Sequence, residues 1–413
     1  MGTILKNKIV LRFVENFSWL FLMNILGYVF SVVSFPILIS KYGLKEVGVI
    51  FTVQSIIVIL GSISNYSLTY YIPTVSKKIS EDPNYLIKVW NLTTQIRTWL
   101  SLFLSILFSF LVYWLFGEYF IIWLLSLPLM LPKIVSPTLF CNALEANSFV
   151  FKIVFFSKFL FLFLIYIDNH SNLVNFFLAF SELFVIIFYL KKIHVGLLKF
   201  YWISWFELKQ FLRQTFNLFL VNFFLVLKPN AILPCVSYLL GLEYGALFAI
   251  AQKVINVIKG TSGIMFTSFF PIYSKGNLGV SLLTVKRIVP IFILIILGTV
   301  GLWYLSPIII YYLNNFQANL LAANTLHILS LSVPIFFMNI PLFSYMLHHN
   351  KWYAILVFTL VQLLVLIVAW NFLFNQNIIG VAKSLVISEY TVFICYLLFT
   401  IRSKFALTYE KRV

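Results

Sequence analysis

Residues 24–51, NILGYVFSVVSFPILISKYGLKEVGVIF, and residues 222–248, NFFLVLKPNAILPCVSYLLGLEYGALF, carry the same punctuation in the same order. At an offset of 198 residues Asn24 falls on Asn222, Pro36 on Pro234 and Gly43 on Gly241. After a slip of one residue Gly48 and Phe51 meet Gly245 and Phe248, and farther on Pro73, Ser76 and Lys77 fall on Pro271, Ser274 and Lys275. Glycine and proline mark helix ends in any protein, so one match says little; the ordered set marks an internal repeat. Each match has a mechanical use, since Pro36 and Pro234 kink or break an apolar helix and the glycine pairs serve tight turns.

The sequence around these marks belongs in lipid. Its hydrophobic fraction is 62% and only 10% of residues are charged, against roughly 45–50% apolar residues in a soluble chain. In hydrocarbon every backbone polar group must be paired within the protein, which leaves helices or closed barrels, and these apolar runs are too continuous for alternating barrel strands. A crossing takes about 20 apolar residues. On that ruler spans fall at 14–39, 47–72, 98–117, 119–143, 149–167, 173–190, 214–240, 244–272, 288–313, 322–347, 353–374 and 377–401. The first is too long for a signal peptide and reads as an uncleaved span. The expected fold is an all-α integral membrane protein with about 12 transmembrane helices in two pseudo-symmetric six-helix bundles. The N-terminal lobe takes residues 1–192, a cytoplasmic linker 193–213 and the C-terminal lobe 214–413. Two halves that enter from the same side form a parallel repeat, the arrangement of transporters whose bundles rock about a midplane site.

Basic residues test the span count, because a wrong count scatters Lys and Arg over both sides. One side receives Lys6, Lys8 and Arg12 of the N-tail, Lys77, Lys78, Lys88 and Arg97 after span two, Lys152 after span four, and five in the middle loop from Lys191 to Arg213. It also receives Lys275, Lys286, Arg287, Lys351 and four cations of the C-tail, while the other side holds only Lys41 and Lys45. Both termini are therefore expected in the cytoplasm. The net charge of +17 then reports topology and affinity for anionic inner-leaflet lipids rather than nucleic-acid binding.

Six lysines fall inside spans: Lys133, Lys158, Lys228, Lys253, Lys259 and Lys383. Each costs about 2.5–3.5 kcal/mol on insertion scales, so each needs a partner or a polar cavity. Gln252, Lys253, Asn256, Lys259, Gly260 and Gly263 recur at three- and four-residue steps and form one helical face, expected to line a cavity. Lys228 stands beside Pro229 and Asn230, six residues before Pro234, so span seven is expected to be discontinuous there, with Lys228 the leading contact for a phosphate. Lys133 lies between Pro132 and Pro137 in a broken span four and reads as cavity lining. Lys158 and Lys383 read either as cavity residues or as ion-pair partners of Glu182 or Glu389. The carboxylates Glu145, Glu182 and Glu389 are candidates for ion or proton coupling, with neutralisation of a nearby lysine the alternative. Cys141, Cys235 and Cys395 read as small buried hydrophobes. No catalytic constellation and no metal-ligand spacing is present, His348 and His349 included, and no cofactor is expected.

These residues resemble the O-antigen (Wzx-type) flippases of the multidrug/oligosaccharidyl-lipid/polysaccharide exporter superfamily. The resemblance covers nearly the whole chain. It rests on Pro36 followed by Lys41, Tyr42, Gly43, Gly48 and Phe51, on Leu144 and Glu145 with Lys158, and on Gly245 through Lys253 ending in Pro271-Ile272-Tyr273-Ser274-Lys275. It implies two six-helix lobes around a cationic cavity that admits an undecaprenyl-diphosphate-linked oligosaccharide and alternates its access, and it places Lys253 at the family's basic position in that helix. It further implies a bacterial inner-membrane location and, as partners, membrane lipids and the polymerase and chain-length proteins of polysaccharide assembly. The chain lacks the acidic residue in mid-span one of many drug-exporting relatives, since Glu15 sits at the edge, and is too short for the fourteen spans of lipid II flippases. Two other readings stay open: a membrane polymerase or glycosyltransferase of the same pathway, which the short, uncharged outer loops disfavour, and a small-molecule drug exporter on the same fold, which would have a less basic cavity.

Overall fold

The computed structural model describes residues 2–66, 68, 71, 72, 75, 81–135, 147–193, 202–260, 282–349, 351–373 and 377–410. Every regular element among them is helical. Helix α1 (Gly2–Asn65) is interrupted at Gly43 into two arms that supply spans one and two. Helix α2 (Pro83–Leu115) is span three. Span four is built in pieces, a 3₁₀ turn at Gly117–Tyr119, α3 (Phe120–Ser126), a second 3₁₀ turn at Leu127–Leu129 and α4 (Met130–Ile134). Spans five to eight are α5 (Asn147–Ile167), α6 (Val174–Ile193), α7 (Trp205–Leu240) and α8 (Leu242–Gly260). Span nine is α9 (Leu282–Leu313), span ten the pair α10 (Leu320–Ser330) and α11 (Ser332–His348), span eleven α12 (Trp352–Leu373) and span twelve α13 (Ile378–Glu410). A helix thus stands at each of the twelve expected spans. Among the described residues nine helices or helix runs are both long and apolar enough to cross a membrane. The fold class expected from composition is the one observed.

Two expectations about interruptions change. Pro36 lies inside α1, and Pro229 and Pro234 lie inside a continuous α7, so span seven is not discontinuous beside Lys228. Asn230 Nδ2 donates to the Val226 carbonyl at 2.8 Å, one way in which a polar side chain serves the backbone of a proline-bearing membrane helix. The chain breaks seven residues after each proline instead, at Gly43 (φ 79°, ψ 166°) and Gly241 (φ 105°, ψ 159°). These two glycines are matched by the internal repeat, and both occupy a region of backbone space that is essentially closed to side-chain-bearing residues. Sequence repeat and backbone geometry coincide there. Gly43→Ala and Gly241→Ala are each expected to cost about 1–3 kcal/mol, read as a lower melting temperature of the purified protein. An unchanged melting temperature would mean that neither turn is held in this conformation.

The structure divides into two compact units, Met1–Ala246 and Leu247–Val413. In the first unit the apolar seam is regular. Along α2, Phe103, Ile106, Phe110 and Trp114 are 62–81% exposed, a three- and four-residue stripe that suits contact with acyl chains, while Arg97, Ser101, Leu104 and Val112 on the other side are buried. One buried cluster joins Tyr66, Ile72, Trp90, Ile153, Val185, Leu208 and Phe211, and a second joins Val53, Ile57, Leu60, Leu104, Trp123 and Met130. Trp123 is fully buried and donates its Nε1–H to Ser109 Oγ at 2.8 Å, which satisfies the indole. Helix α7 begins at Trp205, inside the stretch assigned to the linker. Ser204 caps it by accepting from the Glu207 backbone N–H at 3.3 Å.

At the opposite end Lys41, one of the two cations expected on the outer side, donates to the carbonyls of Ile165 and Tyr166 at 2.7 and 2.8 Å. These are orphan acceptors at the C-terminus of α5, where a cation also meets the negative end of the helix dipole. Tyr42 Oη donates to the Asp168 carbonyl at 3.0 Å. Next to it the second arm of α1 meets the start of α8 closely. A Cβ at Gly48 would collide with the Leu242 carbonyl, one at Gly245 would collide with Ser237 Oγ, and Thr52 Oγ1 and Ser237 Oγ share a buried hydrogen bond of 2.6 Å. Gly48 therefore lets the α1 backbone touch that of Leu242, and Gly245 makes room for the Ser237 side chain.

In the second unit α13 packs on α10, α11 and α12, and α9 packs on α10. Its interior is rich in small hydroxyl residues, with Thr325, Ser330, Ser344, Thr359, Ser384 and Ser388 all buried. Each donates to a carbonyl three or four residues back, so burial leaves none of these hydroxyls unserved. Cys235 is exposed and Cys395 partly so, contrary to the expectation of burial. An apolar thiol on a membrane helix needs no protein cover, because acyl chains are as apolar as a core.

Candidate functional site

The intramembrane lysines sort by partner. In the first unit Glu182, midway along α6, lies between two of them: Lys133 Nζ at 3.6 Å from Oε2 and Lys158 Nζ at 3.7 Å from Oε1. The three side chains come from α4, α6 and α5, and their side-chain exposures of 41% for Lys133, 25% for Glu182 and 20% for Lys158 put Lys133 at the open edge. Local backbone explains how Lys133 gets there. Pro128 and Pro132 keep span four in short helical pieces, and Gly61 on the second arm of α1 leaves room for the lysine stem, since a Cβ there would stand 3.2 Å from Lys133 Cγ. Gly61→Val is expected to displace this flexible stem at a cost near 1 kcal/mol, the low end for overpacking. It should move the Lys133 ammonium away from Glu182, read from the structure of the variant, with little loss of melting temperature; a full loss of folded protein would show that Gly61 serves packing alone.

A third cation packs against the same piece of span four. Arg97, which charge counting places in the loop after span two, lies within α2 at 1% exposure and donates its Nη1–H to the Ile134 carbonyl at 3.5 Å. Ile134 follows Lys133 directly. Arg97 thus holds the residue next to Lys133, in an interior where Coulomb energy is far less screened than in water.

In the second unit Lys259 in the last turn of α8 reaches Glu389 of α13 at 3.5 Å, with side-chain exposures of 17% and 8%. The same ammonium lies 4.9 Å from the centroid of the Phe336 ring on α11, a cation–π distance. Lys158 and Lys259 therefore have carboxylate partners, as the bland reading of intramembrane lysines allows. Lys383 is exposed on α13, Lys228 and Lys253 are partly exposed, and Asn256 is exposed. On α8 Gln252, Lys253, Lys259 and Gly260 are partly buried and Asn256 is exposed, whereas Ile250, Ala251 and Ile255 are buried. Glu145, Gly263 and the 271–275 motif lie outside the described residues.

One relation escaped the sequence reading. Glu182 and Glu389 each sit in the last span of their half, within the same pattern: Leu178-x-x-Ser181-Glu182-x-x-Val185-x-Ile187-x-Tyr189-Leu190 and Leu385-x-x-Ser388-Glu389-x-x-Val392-x-Ile394-x-Tyr396-Leu397. The offset is 207 residues rather than 198, because the second half has gained nine residues by this point. The local geometry repeats as well. Ser181 Oγ donates to the Leu178 carbonyl at 2.9 Å and Ser388 Oγ to the Leu385 carbonyl at 2.7 Å, both serines being fully buried.

Neither a protein-family model nor a curated protein matches the sequence. Solved structures do match by fold. The chain superposes on an inward-facing multidrug resistance MATE family transporter of the MOP superfamily with a TM-score of 0.68 at 15% identity, over 92% of this chain and 94% of that one. It is similar to the lipid II flippase MurJ in an inward closed conformation, with a TM-score of 0.70 at 16% identity over 94% and 87% of the two chains. A MOP superfamily transporter from Pyrococcus furiosus, described by a binding pocket of reverse polarity, gives 0.65 at 14% identity over 94% and 95%. The fold of this protein is therefore the one these MOP superfamily transporters share.

Proposed function

We propose that the protein is a flippase that moves undecaprenyl-diphosphate-linked oligosaccharide units across the bacterial inner membrane by alternating access, for O-antigen or capsular polysaccharide assembly. The observation that carries this reading is the pair of lysines, Lys133 and Lys158, on Glu182, with the buried Arg97 held on Ile134 next to Lys133. Buried cations are expensive, and an anionic cargo is a reason to keep them. The diphosphate end of a lipid-linked sugar supplies that charge and its polyprenyl tail stays in lipid. Lys228, Lys253 and the polar stripe of α8 are proposed to meet the same cargo, and the fold shared with a lipid II flippase supports a lipid-linked substrate. Both termini are proposed to be cytoplasmic, with the polymerase and chain-length proteins as partners.

A drug exporter is the second reading, favoured by the fold shared with MATE transporters. The lysines speak against it for cationic drugs, since like charges in a poorly solvated interior repel. In a deletion strain without a redundant flippase, surface polysaccharide should disappear while lipid-linked units accumulate on the cytoplasmic face. Normal surface polysaccharide in that strain would sink the proposal.

A further inference from the structure

We infer that Glu182 and Glu389 are equivalent resident counter-anions: in each half, one carboxylate on the last span holds the lysine or lysines that a phosphoryl group of the ligand takes over when it binds. The inference rests on the anionic-cargo reading above and adds to it the identity of the competitor.

Three independent observations lead there. The two glutamates occupy the same place in a duplicated stretch, with seven identities in the thirteen residues 178–190 and 385–397. Both stretches anchor the residue before the glutamate by the same serine-to-carbonyl bond three residues back, so the backbone presents each carboxylate in the same way. Each carboxylate also faces an ammonium from another helix of its own unit, Lys133 and Lys158 for Glu182 and Lys259 for Glu389. A purely structural pair does not need to be duplicated in this detail when the rest of the two spans has diverged.

The distances fit a contact that gives way. These pairs are 3.5–3.7 Å long, at the loose end for an ion pair and well beyond the 2.7–2.9 Å of a tight ammonium–carboxylate hydrogen bond. Glu182 divides itself between two lysines, so each ammonium keeps donors for a second acceptor. A diphosphate offers more oxygens and more charge than one carboxylate, which favours exchange. The exchange breaks no covalent bond: the ammonium groups turn from carboxylate to phosphoryl oxygen.

The test is a binding measurement on purified full-length protein in nanodiscs, with undecaprenyl diphosphate, inorganic pyrophosphate and phosphatidylglycerol as separate probes. If the carboxylates compete, Glu182→Gln and Glu389→Gln each bind undecaprenyl diphosphate about tenfold tighter than the parent, the effect expected from removing one nearby charge of the ligand's own sign. Glu182→Asp and Glu389→Asp keep the charge and withdraw it by one methylene, and give the same sign at smaller size. They also serve should a glutamine variant fail to fold. Unchanged or weaker binding in folded variants overturns the inference, because a merely structural pair loses order when it loses its acid. Tightening confined to phosphatidylglycerol supports competition by Glu182 and Glu389 but overturns the lipid-linked cargo. Flipping by the parent without any tightening overturns the competition and leaves the flippase standing.

Discussion

Replacing Lys133 and Lys158 together by methionine reduces flipping of an undecaprenyl-diphosphate-linked sugar by at least about a hundredfold. Each lysine is proposed to contribute a charge-assisted hydrogen bond to the cargo, worth about 1.5–3 kcal/mol, and about 1.4 kcal/mol is tenfold in an equilibrium constant. The double variant also strands Glu182 without its two lysines, a change that can cost about 3–5 kcal/mol in a buried site, and part of the loss would then be misfolding. The triple variant Lys133→Met, Lys158→Met, Glu182→Gln removes the charges together. It should recover a melting temperature near the parent's and remain without transport. Recovery of transport in the triple variant would mean that the group is an internal ion pair with no role in cargo binding.

The second large effect is expected at Gly48. A valine there drives its side chain into the Leu242 carbonyl, which belongs to the backbone and has no rotamer to retreat to. The second arm of α1 must then separate from the corner between α7 and α8, with loss of the buried Thr52–Ser237 hydrogen bond to α7. Overpacking costs about 1–3 kcal/mol and the hydrogen bond about 0.5–1.5 kcal/mol more, so Gly48→Val should lower the melting temperature clearly and abolish transport. A Thr52→Cys, Ser237→Cys pair reports the geometry directly. It should cross-link readily in an otherwise unchanged protein and poorly when Gly48→Val is added. Equal cross-linking in both would show that α1 does not meet the end of α7 and the start of α8 as described.

Much of the architecture was legible because lipid imposes long apolar runs. All twelve expected spans coincide with helices. What failed was the assignment of breaks to Pro36 and Pro234. Proline in a membrane helix loses one backbone bond that neighbours can replace, whereas Gly43 and Gly241 adopt backbone angles that permit no helix at all. Charge counting also misplaced Arg97, because α2 is 33 residues long, about 50 Å at the usual rise, and outruns the segment that hydropathy marks. The partners of the intramembrane lysines were legible only as alternatives, since pairing across helices depends on packing. The signal for the equivalence of Glu182 and Glu389 was present throughout in the Ser-Glu-x-x-Val-x-Ile-x-Tyr-Leu pattern. A single offset of 198 hides it, because insertions shift the end of the second half.

The most direct measurement is reconstitution. Purified protein in proteoliposomes, loaded with a fluorescent undecaprenyl-diphosphate oligosaccharide in the inner leaflet, is assayed for exposure of the sugar to a membrane-impermeant quencher outside. The flippase account predicts protein-dependent exposure in the parent, background exposure in Lys133→Met, Lys158→Met, and no movement of a cationic dye. Dye transport without exposure of the lipid-linked sugar would contradict it.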